Sequence, residues 1–308
     1  MPKKVTIAEV GLRDGLQNEC KTLTTETKLS ILYKLIEAGF HEIELGSFVR
    51  PDVIPQMADT RDIFQAVNLE NNGVSFRALV PNYRGLQNAI AAGCRNVSIG
   101  VSASKVHNLR NYNRTPEESV AAFEKIFQEA EANNVSVTGT VQMAFGSPWE
   151  GEIPLDAIVS IINIYRHFGL KSVGLGDTAS LANPKKVYSV FAELNAIFPD
   201  IKFKAHFHNA RGLGLTNVIA AMEAGVQHFD SSFAGLGGCP FVPKAAGNIA
   251  TEDLVNMMNE LEVETGIDIG HAIQIGHEVE DLVGHEGNSF ILRAGTAKEL
   301  YEKCRNND

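Results

Sequence analysis

The chain has 308 residues, of which 44% are hydrophobic, and its formal net charge is -10. This composition is sufficient for one large α/β domain with a sizeable core. The acidic balance argues against a nucleic-acid partner, because phosphate-binding surfaces normally carry clustered Lys and Arg, so an anionic substrate would have to be met by local cations.

The cysteine pattern and the ends of the chain bear on the compartment. Cys20, Cys94, Cys239 and Cys304 lack the paired short spacings of a disulfide framework or a zinc knuckle. The N-terminal segment turns polar within ten residues, no apolar run approaches roughly 18 residues, and the C-terminus carries no lipidation signal. We therefore expect a cytoplasmic protein without a membrane partner.

Short strand-like segments alternate with longer helical stretches along the chain. The predicted strands are 5–10, 41–45, 74–80, 95–101, 135–143, 171–176, 201–208 and 227–232. Helices are predicted over 25–38, 83–92, 115–133, 155–168, 184–198, 214–224 and 251–265, with Thr115 as one N-cap. Eight such units predict a single (β/α)8 barrel, with a doubly wound open sheet as the alternative. We expect one domain, with the barrel at about 4–267 and a C-terminal helical extension at about 268–308.

The most informative motif is His206-Phe207-His208, at the end of the seventh predicted strand. Alternate residues of a strand project from the same face, so both imidazoles can reach one metal ion. Such a pair is also found in purely structural roles, and partners from other strand ends must decide between the two interpretations.

Functional side chains of a barrel come from the carboxyl ends of its strands and the loops that follow. Polar residues cluster at these places: Arg13, Asp14, Gln17, Glu44, Ser47, Asp177 and Asn248. Asp14, the two histidines and the amide oxygen of Asn248 would form a mixed N/O site suited to Mg²⁺ or Mn²⁺, or to catalytic Zn²⁺ or Co²⁺.

Each of these residues also has a structural interpretation. Asp14 and Asp177 are equally typical of helix or turn caps, and Arg13 of a surface ion pair. Glu44 would point into the barrel mouth and needs a partner, for which Arg13 is a candidate. Cys239 stands in a glycine-rich loop, where a cysteine is more often incidental than catalytic. The remaining histidines show no ligand spacing and are interpreted as structural or surface residues.

Five motifs together resemble the 3-hydroxy-3-methylglutaryl-CoA lyases, a family of metal-dependent barrels related to isopropylmalate synthase. They are EVGLRDGLQNE (9–19), IELGSFVRPDVIPQMAD (43–59), GLGDT (174–178), HFH (206–208) and FAGLGGCPF with GNIATEDL (233–254). The resemblance runs from about Lys4 to Ile267, and the first and last motifs are specific to the lyases.

The resemblance implies roles for individual residues. Asp14, His206, His208 and Asn248 would bind Mg²⁺ or Mn²⁺, and Arg13 would neutralise the thioester enolate. Glu44 and Asp177 would support the metal or substrate network. Cys239 would protonate the acetyl-CoA carbanion. A retro-Claisen cleavage also needs a base for the alcohol proton, and His206 or a carboxylate near the metal could serve.

Substrate contacts are assigned more broadly. Gln17 and Ser47 are candidates for acyl-CoA binding, and Asn82 with Arg84 for the CoA phosphates. A homodimer is expected, since barrels with exposed terminal helices often dimerise.

The sequence departs from the family pattern at positions expected to face the pocket. Leu12 replaces a proline, and Asn209-Ala210-Arg211-Gly212 replaces Asp-Thr-Tyr-Gly after the second histidine. Gly146-Ser147-Pro148-Trp149 replaces Gly-Cys-Pro-Tyr, and Thr140, Gln142 and Met143 stand for Tyr, Ser and Cys. The added cation of Arg211 could serve a different or longer carboxylated substrate.

The leading hypothesis is a lyase that cleaves 3-hydroxy-3-methylglutaryl-CoA to acetyl-CoA and acetoacetate. The alternatives are a lyase for a related 3-hydroxy-3-alkylglutaryl-CoA, an acyltransferase that condenses acetyl-CoA with a 2-oxo acid, and a metal-binding barrel without catalysis.

Overall fold

A computed structural model of the protein describes residues 1–67, 73–238 and 247–305. Eight parallel strands form one closed barrel in chain order, because β8 pairs with β1. The strands are β1 (Thr6–Glu9), β2 (Glu42–Ser47), β3 (Ser75–Leu79), β4 (Asn96–Ser102), β5 (Ser136–Gln142), β6 (Ser172–Gly176), β7 (Lys202–His206) and β8 (His228–Ser231). The predicted barrel and its eight strands are confirmed, and the doubly wound alternative is wrong because no edge strand remains open.

Helices follow the strands and cover the outside of the barrel. They are α1 (Thr25–Glu37), α2 (Thr60–Val67), α3 (Tyr83–Ala91), α4 (Lys105–Tyr112), α5 (Pro116–Ala121), α6 (Phe123–Ala132), α7 (Leu155–His167), α8 (Pro184–Ile197), α9 (Gly214–Glu223) and α10 (Thr251–Glu260). The C-terminal helices are α11 (Ile269–Val283), α12 (Phe290–Ala294) and α13 (Ala297–Arg305).

The helix predictions hold within a few residues, with three differences. The stretch 115–133 is two helices that meet at Ala122, and α10 ends at Glu260 rather than near 265. The helices α2 and α4, of eight residues each, were not predicted. Thr115 caps α5 as expected, in a reciprocal pair with Glu118.

The strands separate two kinds of interior. Ile43 and Leu45 point outward from β2 and are buried against helices, as are Val173 and Leu175 on β6. The alternate positions, such as Glu42 and Glu44, point into the barrel, since successive side chains of a strand face opposite sides. Apolar packing therefore stabilises the layer between sheet and helices, while the barrel lumen accommodates polar groups.

The chain after the barrel packs back onto it. The helix α11 buries Ile275 and Val279 against α1, α10 and the turn Phe233–Gly235. Within the described ranges, no helix is both long and apolar enough to cross a membrane.

Candidate active site

The residues after β1 form a single π-helical turn, Gly11–Gly15, which places Arg13 and Asp14 at the barrel mouth. The backbone amides of Arg13, Asp14 and Gly15 all donate to the carbonyl oxygen of Val10. Gly11 lies so close to the ring of Phe233 that an added Cβ would be 2.5 Å from it. Such π-turns are frequent at functional sites, and this one turns two charged side chains toward the lumen.

Asp14, His206 and His208 converge on one point, as the HxH motif predicted. Their potential ligand atoms all lie within 4.8 Å of one another. The two Nε2 atoms are 3.2 Å apart, and Asp14 Oδ2 lies 3.8 Å from His206 Nε2 and 4.0 Å from His208 Nε2. Ligands at about 2.1 Å from one octahedral ion are separated by roughly 3 to 4 Å, so these spacings suit a shared cation.

Asn248 completes the group from the segment after β8. It is buried, forms an isolated β-bridge with His208, and donates through Nδ2 to Asp14 Oδ2 at 2.8 Å and to the carbonyl of Leu236 at 2.9 Å. Its Oδ1 atom has no hydrogen-bond partner among the described residues. A buried, unpaired amide oxygen beside a carboxylate and two imidazoles fits the expected divalent cation.

The protonation of this group follows from burial and neighbouring charge. Burial opposes ionisation of Asp14, but Arg13 and the two histidines outweigh it and lower its pKa. Burial and the adjacent His206 lower the pKa of His208 to about 4. For His206, burial is outweighed by Asp230 and Asp14, so its pKa is raised. The carboxylate is therefore ionised and one imidazole neutral near pH 7, as ligands must be.

A chain of ion pairs runs from this group across the lumen. Arg13 contacts Asp14 through Nη1 and donates through Nε to Glu44 Oε2 at 2.5 Å, which confirms the expected Arg13–Glu44 pair. Arg77 then donates to Glu44 Oε1 at 3.3 Å and to Asp230 Oδ1 at 2.8 Å. Asp230 Oδ2 in turn lies 3.2 Å from His206 Nδ1.

Arg77 and Asp230 were missed by the sequence analysis. A signal was present, because each is a charged residue inside a predicted strand, next to a buried residue: Ala78 follows Arg77 and Phe229 precedes Asp230. A charge at such a position faces the barrel lumen and needs a partner there.

These groups border a cavity of about 320 Å³ at the carboxyl end of the barrel. Among the residues proposed from the sequence, it is lined by Arg13, Asp14, Gln17, Glu44, Ser47, Thr140, Gln142, His206 and His208. The hydroxyl of Ser47 is buried there without a partner in the described residues.

Several other candidates lie outside this lining. Asp177 Oδ1 accepts from the amides of Leu181 (2.8 Å) and Ala182 (3.0 Å), so it shapes the loop after β6, and burial raises its pKa to about 7. Arg211 is exposed and donates to the carbonyls of Ala179 and Ser180 at 3.1 Å.

Of the substituted positions expected to face the pocket, Thr140 and Gln142 do so, but Met143, Ser147 and Asn209 do not line it. Ser147 pairs with Ser104, and Asn209 accepts from the amide of Gly214. Both residues hold loop backbone in place. That expectation was therefore wrong for these three residues.

His107, interpreted from the sequence as structural or surface, is buried and does line the cavity. Its ring stacks on Trp149 with centroids 6.1 Å apart, and burial lowers its pKa to about 4. Neither ring nitrogen has a partner in the described part of the chain. The absence of ligand spacing to other histidines hid this residue from sequence analysis.

Asn82 has a structural role at the start of α3, where its side chain accepts from the amide of Gly85 at 2.9 Å. It also lines a second cavity, of about 510 Å³, with Arg84, Arg114 and Lys125. Pro81 borders both cavities. Cys239 lies outside the described residues, although Gly238 before it lines the first cavity.

Comparisons with known proteins agree with this architecture. The model of the HMGL-like family matches residues 4–279. The chain is 38% identical to hydroxymethylglutaryl-CoA lyase YngG of Bacillus subtilis, over 92% of this chain and 94% of that protein. It is 35% identical to the mitochondrial hydroxymethylglutaryl-CoA lyase of Homo sapiens, over 96% and 90%.

A solved structure shows the same fold. It is an HMG-CoA lyase from Acinetobacter baumannii in complex with coenzyme A and 3-methylmalate. The two chains superpose with a TM-score of 0.91 at 37% identity, and the match covers 96% of each. The chain has a group of potential metal ligands at the barrel mouth and is similar to these proteins over nearly its whole length. It therefore belongs to the HMGL-like family.

Proposed function

We propose that this chain is a carbon–carbon lyase that cleaves 3-hydroxy-3-methylglutaryl-CoA to acetyl-CoA and acetoacetate with a divalent cation. The observation that carries the proposal is the convergence of Asp14, His206 and His208 beside the Arg13–Glu44 pair. Relatives with this activity in their names match over nearly the whole chain.

The cation would be held by Asp14, His206, His208 and Asn248 Oδ1. When bound, it supplies a Lewis acid for the hydroxyl and acyl oxygens of the substrate. The mixed set of one carboxylate, two imidazoles and an amide oxygen supports Mg²⁺ or Mn²⁺.

Arg13 is placed to stabilise the enolate that forms when the C–C bond breaks. Its guanidinium borders the cavity and is already oriented by Glu44 and Asp14, so little reorganisation is needed as negative charge develops. Glu44 acts as a positioning residue for Arg13, because both of its oxygens accept from buried or partly buried donors.

Only one ring nitrogen of His206, Nε2, is available for two proposed tasks, which are binding of the cation and acceptance of the alcohol proton. Its Nδ1 faces Asp230 and its Nε2 faces the ligand group, so the same atom cannot bind a cation and accept the alcohol proton. We therefore assign His206 to the ligand set and not to the role of the base.

The final proton would come from Cys239, as the family motif implies. Gly238, the last described residue before it in the chain, lines the cavity and accepts from Asn18 Nδ2 at 2.6 Å. We expect Cys239→Ala to lower turnover strongly while Mn²⁺ affinity is unchanged. Parallel loss of turnover and affinity would contradict this role.

The nucleotide end of the substrate would occupy the second cavity. In a chain with a net charge of -10, Arg84, Arg114 and Lys125 around one cavity stand out as a match for the CoA phosphates. Arg84→Ala with Arg114→Ala should raise KM for the CoA thioester about tenfold but leave the KM for the corresponding pantetheine thioester unchanged. Equal effects on both thioesters would exclude this placement.

The decisive experiment for the reaction is incubation of purified protein with 3-hydroxy-3-methylglutaryl-CoA and Mg²⁺ or Mn²⁺, followed by measurement of acetoacetate. Production that stops when EDTA is added supports the proposal. Thiol release from acetyl-CoA with 2-oxo acids would instead indicate an acyltransferase. Metal binding without turnover on any hydroxyacyl-CoA would indicate a barrel that has lost catalysis.

A second candidate is a lyase for a related 3-hydroxy-3-alkylglutaryl-CoA. It is favoured by the cavity wall that β4, β5 and β6 form, where Gly100 and Gly174 contribute no side chain and Gln142 Oε1 is buried without a described partner. A panel of 3-alkyl thioesters tests it, because a larger kcat/KM for a longer substituent than for methyl would reassign the acyl group.

A further inference from the structure

The charged residues Arg77 and Asp230 lie beside the proposed site but contribute no proposed metal ligand. They come from β3 and β8, on opposite sides of β2 and β1 in the closed barrel. Their side chains are only 13% and 16% exposed, and both line the cavity. Such a pair inside a barrel is costly to bury unless its hydrogen bonds are satisfied, which invites a functional explanation.

Asp230 divides its two oxygens between two partners. Oδ1 accepts from Arg77 Nη2 at 2.8 Å, and Oδ2 lies 3.2 Å from His206 Nδ1. An ionised carboxylate only accepts hydrogen bonds, so the imidazole nitrogen that faces it must carry the proton. In neutral His206 this leaves the lone pair on Nε2, the nitrogen directed at His208 and Asp14.

Arg77 restricts the orientation of that carboxylate. Its guanidinium also donates through Nε to Glu44 Oε1 at 3.3 Å, an oxygen that additionally accepts from Ser98 Oγ at 3.0 Å. Rotation of Asp230 would break its bond to a guanidinium that is itself fixed at a second point. The two residues therefore form a rigid support for His206 Nδ1.

We propose that Asp230, held by Arg77, is a positioning residue that fixes His206 in the Nδ1–H tautomer and so presents Nε2 to the cation site. A carboxylate behind a ligand histidine orients the ring and raises its basicity. The inference rests on the proposed function for the meaning of the site, but its test does not need turnover.

The first measurement is the tautomer of neutral His206 in metal-free protein labelled with ¹⁵N-histidine, recorded at the alkaline end of a pH series because the pKa of His206 is raised and the imidazolium carries both hydrogens. Long-range ¹H–¹⁵N spectra distinguish protonated from unprotonated ring nitrogens, and His206→Gln assigns the resonance by its loss. In the wild type we expect Nδ1–H with Nε2 unprotonated. In Asp230→Asn, whose amide can donate to Nδ1, we expect the Nε2–H tautomer to dominate.

The second measurement is the Mn²⁺ affinity of the same proteins, determined by titration calorimetry. Loss of an outer partner of a metal ligand typically weakens affinity by roughly 10- to 100-fold, and Asp230→Asn should fall in this range. Asp230→Glu, which keeps an acceptor, should retain the Nδ1–H tautomer. Arg77→Gln is a second, milder variant that should give a mixture of tautomers even if Asp230→Asn folds poorly.

Glu42→Gln is the matched control. Glu42 is another carboxylate of the lumen, paired with Lys204 at 3.0 Å and with His228 at 3.6 Å, and it contacts none of the proposed ligands. It should change neither the His206 tautomer nor Mn²⁺ affinity, although it removes a comparable ion pair.

The inference fails if the wild type shows Nε2–H, or if Asp230→Asn keeps both the Nδ1–H tautomer and wild-type Mn²⁺ affinity. A failure of the lyase proposal is distinguishable from this result. It would appear as no acetoacetate from the wild type, while the tautomer still responds to Asp230.

Discussion

At the residue scale, the site combines groups that could not be stable together without a cation or a proton between them. Two Nε2 atoms only 3.2 Å apart repel unless one is protonated or both face a shared positive charge. Burial lowers the pKa of His208 to about 4, and this neutral ring can still carry its one hydrogen on Nε2 and donate it to His206 Nε2. A bound cation would replace that hydrogen and hold both nitrogens.

Removal of one proposed ligand tests this interpretation. His208→Ala should weaken Mn²⁺ binding by at least about 100-fold, because an inner ligand contributes more than its outer partners. Calorimetry or the EPR signal of free Mn²⁺ measures the effect. The control is His277→Ala on the exposed side of α11, which should bind Mn²⁺ like the wild type. Equal affinity of His208→Ala and the control would remove His208 from the ligand set.

At the element scale, one buried carboxyl group joins the first and last βα units. Glu9 Oε1 accepts from the amides of Gly11 (2.7 Å) and Phe233 (3.0 Å), and Oε2 accepts from Thr251 Oγ1 at 2.6 Å. Nearby, Glu252 accepts from the amide of Ala234, a residue with a left-handed backbone (φ 52°). The turn that carries Arg13 and Asp14 is thus fixed to the turn after β8.

The burial of these carboxyl groups predicts how stability depends on pH. Burial raises the pKa of Glu9 from 4.5 to about 7 and that of Glu252 to about 8. Between pH 4.5 and these values the unfolded chain releases protons that the folded protein retains, so raising the pH favours unfolding. The contribution to stability is complete below pH 4.5 and is lost by about pH 8.

Glu9→Gln should therefore flatten this dependence. The amide stays neutral and its oxygen can still accept from Gly11 and Phe233, so the fall in Tm between pH 5 and pH 8 should be smaller than in the wild type. Thermal unfolding followed by circular dichroism at four pH values measures it. Parallel Tm curves for the two proteins would show that Glu9 does not titrate in this range.

The same turn is sensitive to steric change. A Cβ at Gly11 would lie 2.5 Å from the ring of the buried Phe233, so Gly11→Ala must shift either the ring or the turn. Overpacking of this kind costs about 1–3 kcal/mol, measured as a lower denaturant midpoint. We also expect weaker Mn²⁺ binding, because Asp14 moves with the turn. Wild-type stability and affinity would show that the turn adapts freely.

At the scale of the whole molecule, the barrel separates stability from chemistry. The apolar core lies between sheet and helices, whereas the lumen contains the charged series Arg13, Glu44, Arg77, Asp230 and His206. Substitutions in the lumen should therefore affect function more than folding. The single domain, the homodimer and the cytoplasmic location stay predictions from the sequence.

Truncation of the C-terminal extension tests how far the fold extends. The helix α13 has no buried residue, so removal of residues 297–308 should change the free energy of unfolding by less than about 1 kcal/mol. Removal of residues 269–308 also deletes α11, with Ile275 and Val279, and each buried aliphatic side chain contributes about 1.5–3 kcal/mol. The longer truncation should fail to fold.

Urea unfolding of both truncated proteins measures this difference. If both fold equally well, α11 is not part of the domain. Sedimentation of the shorter truncation also reports on the expected dimer, because Leu300 and Tyr301 of α13 are 57% and 64% exposed.

By itself, the sequence determined the barrel, because strand and helix periods are local patterns and eight repeats of them allow few topologies. It also predicted that Asp14, His206 and His208 lie together, because the carboxyl ends of parallel strands meet at one face of the barrel. Only the tertiary structure placed Arg77 beside Asp230 and Asp230 beside His206. It also brought His107 into the cavity lining and left Arg211 and Met143 out of it. The reason is physical: partners across a closed barrel are set by strand register and loop path, which no local pattern of residues encodes.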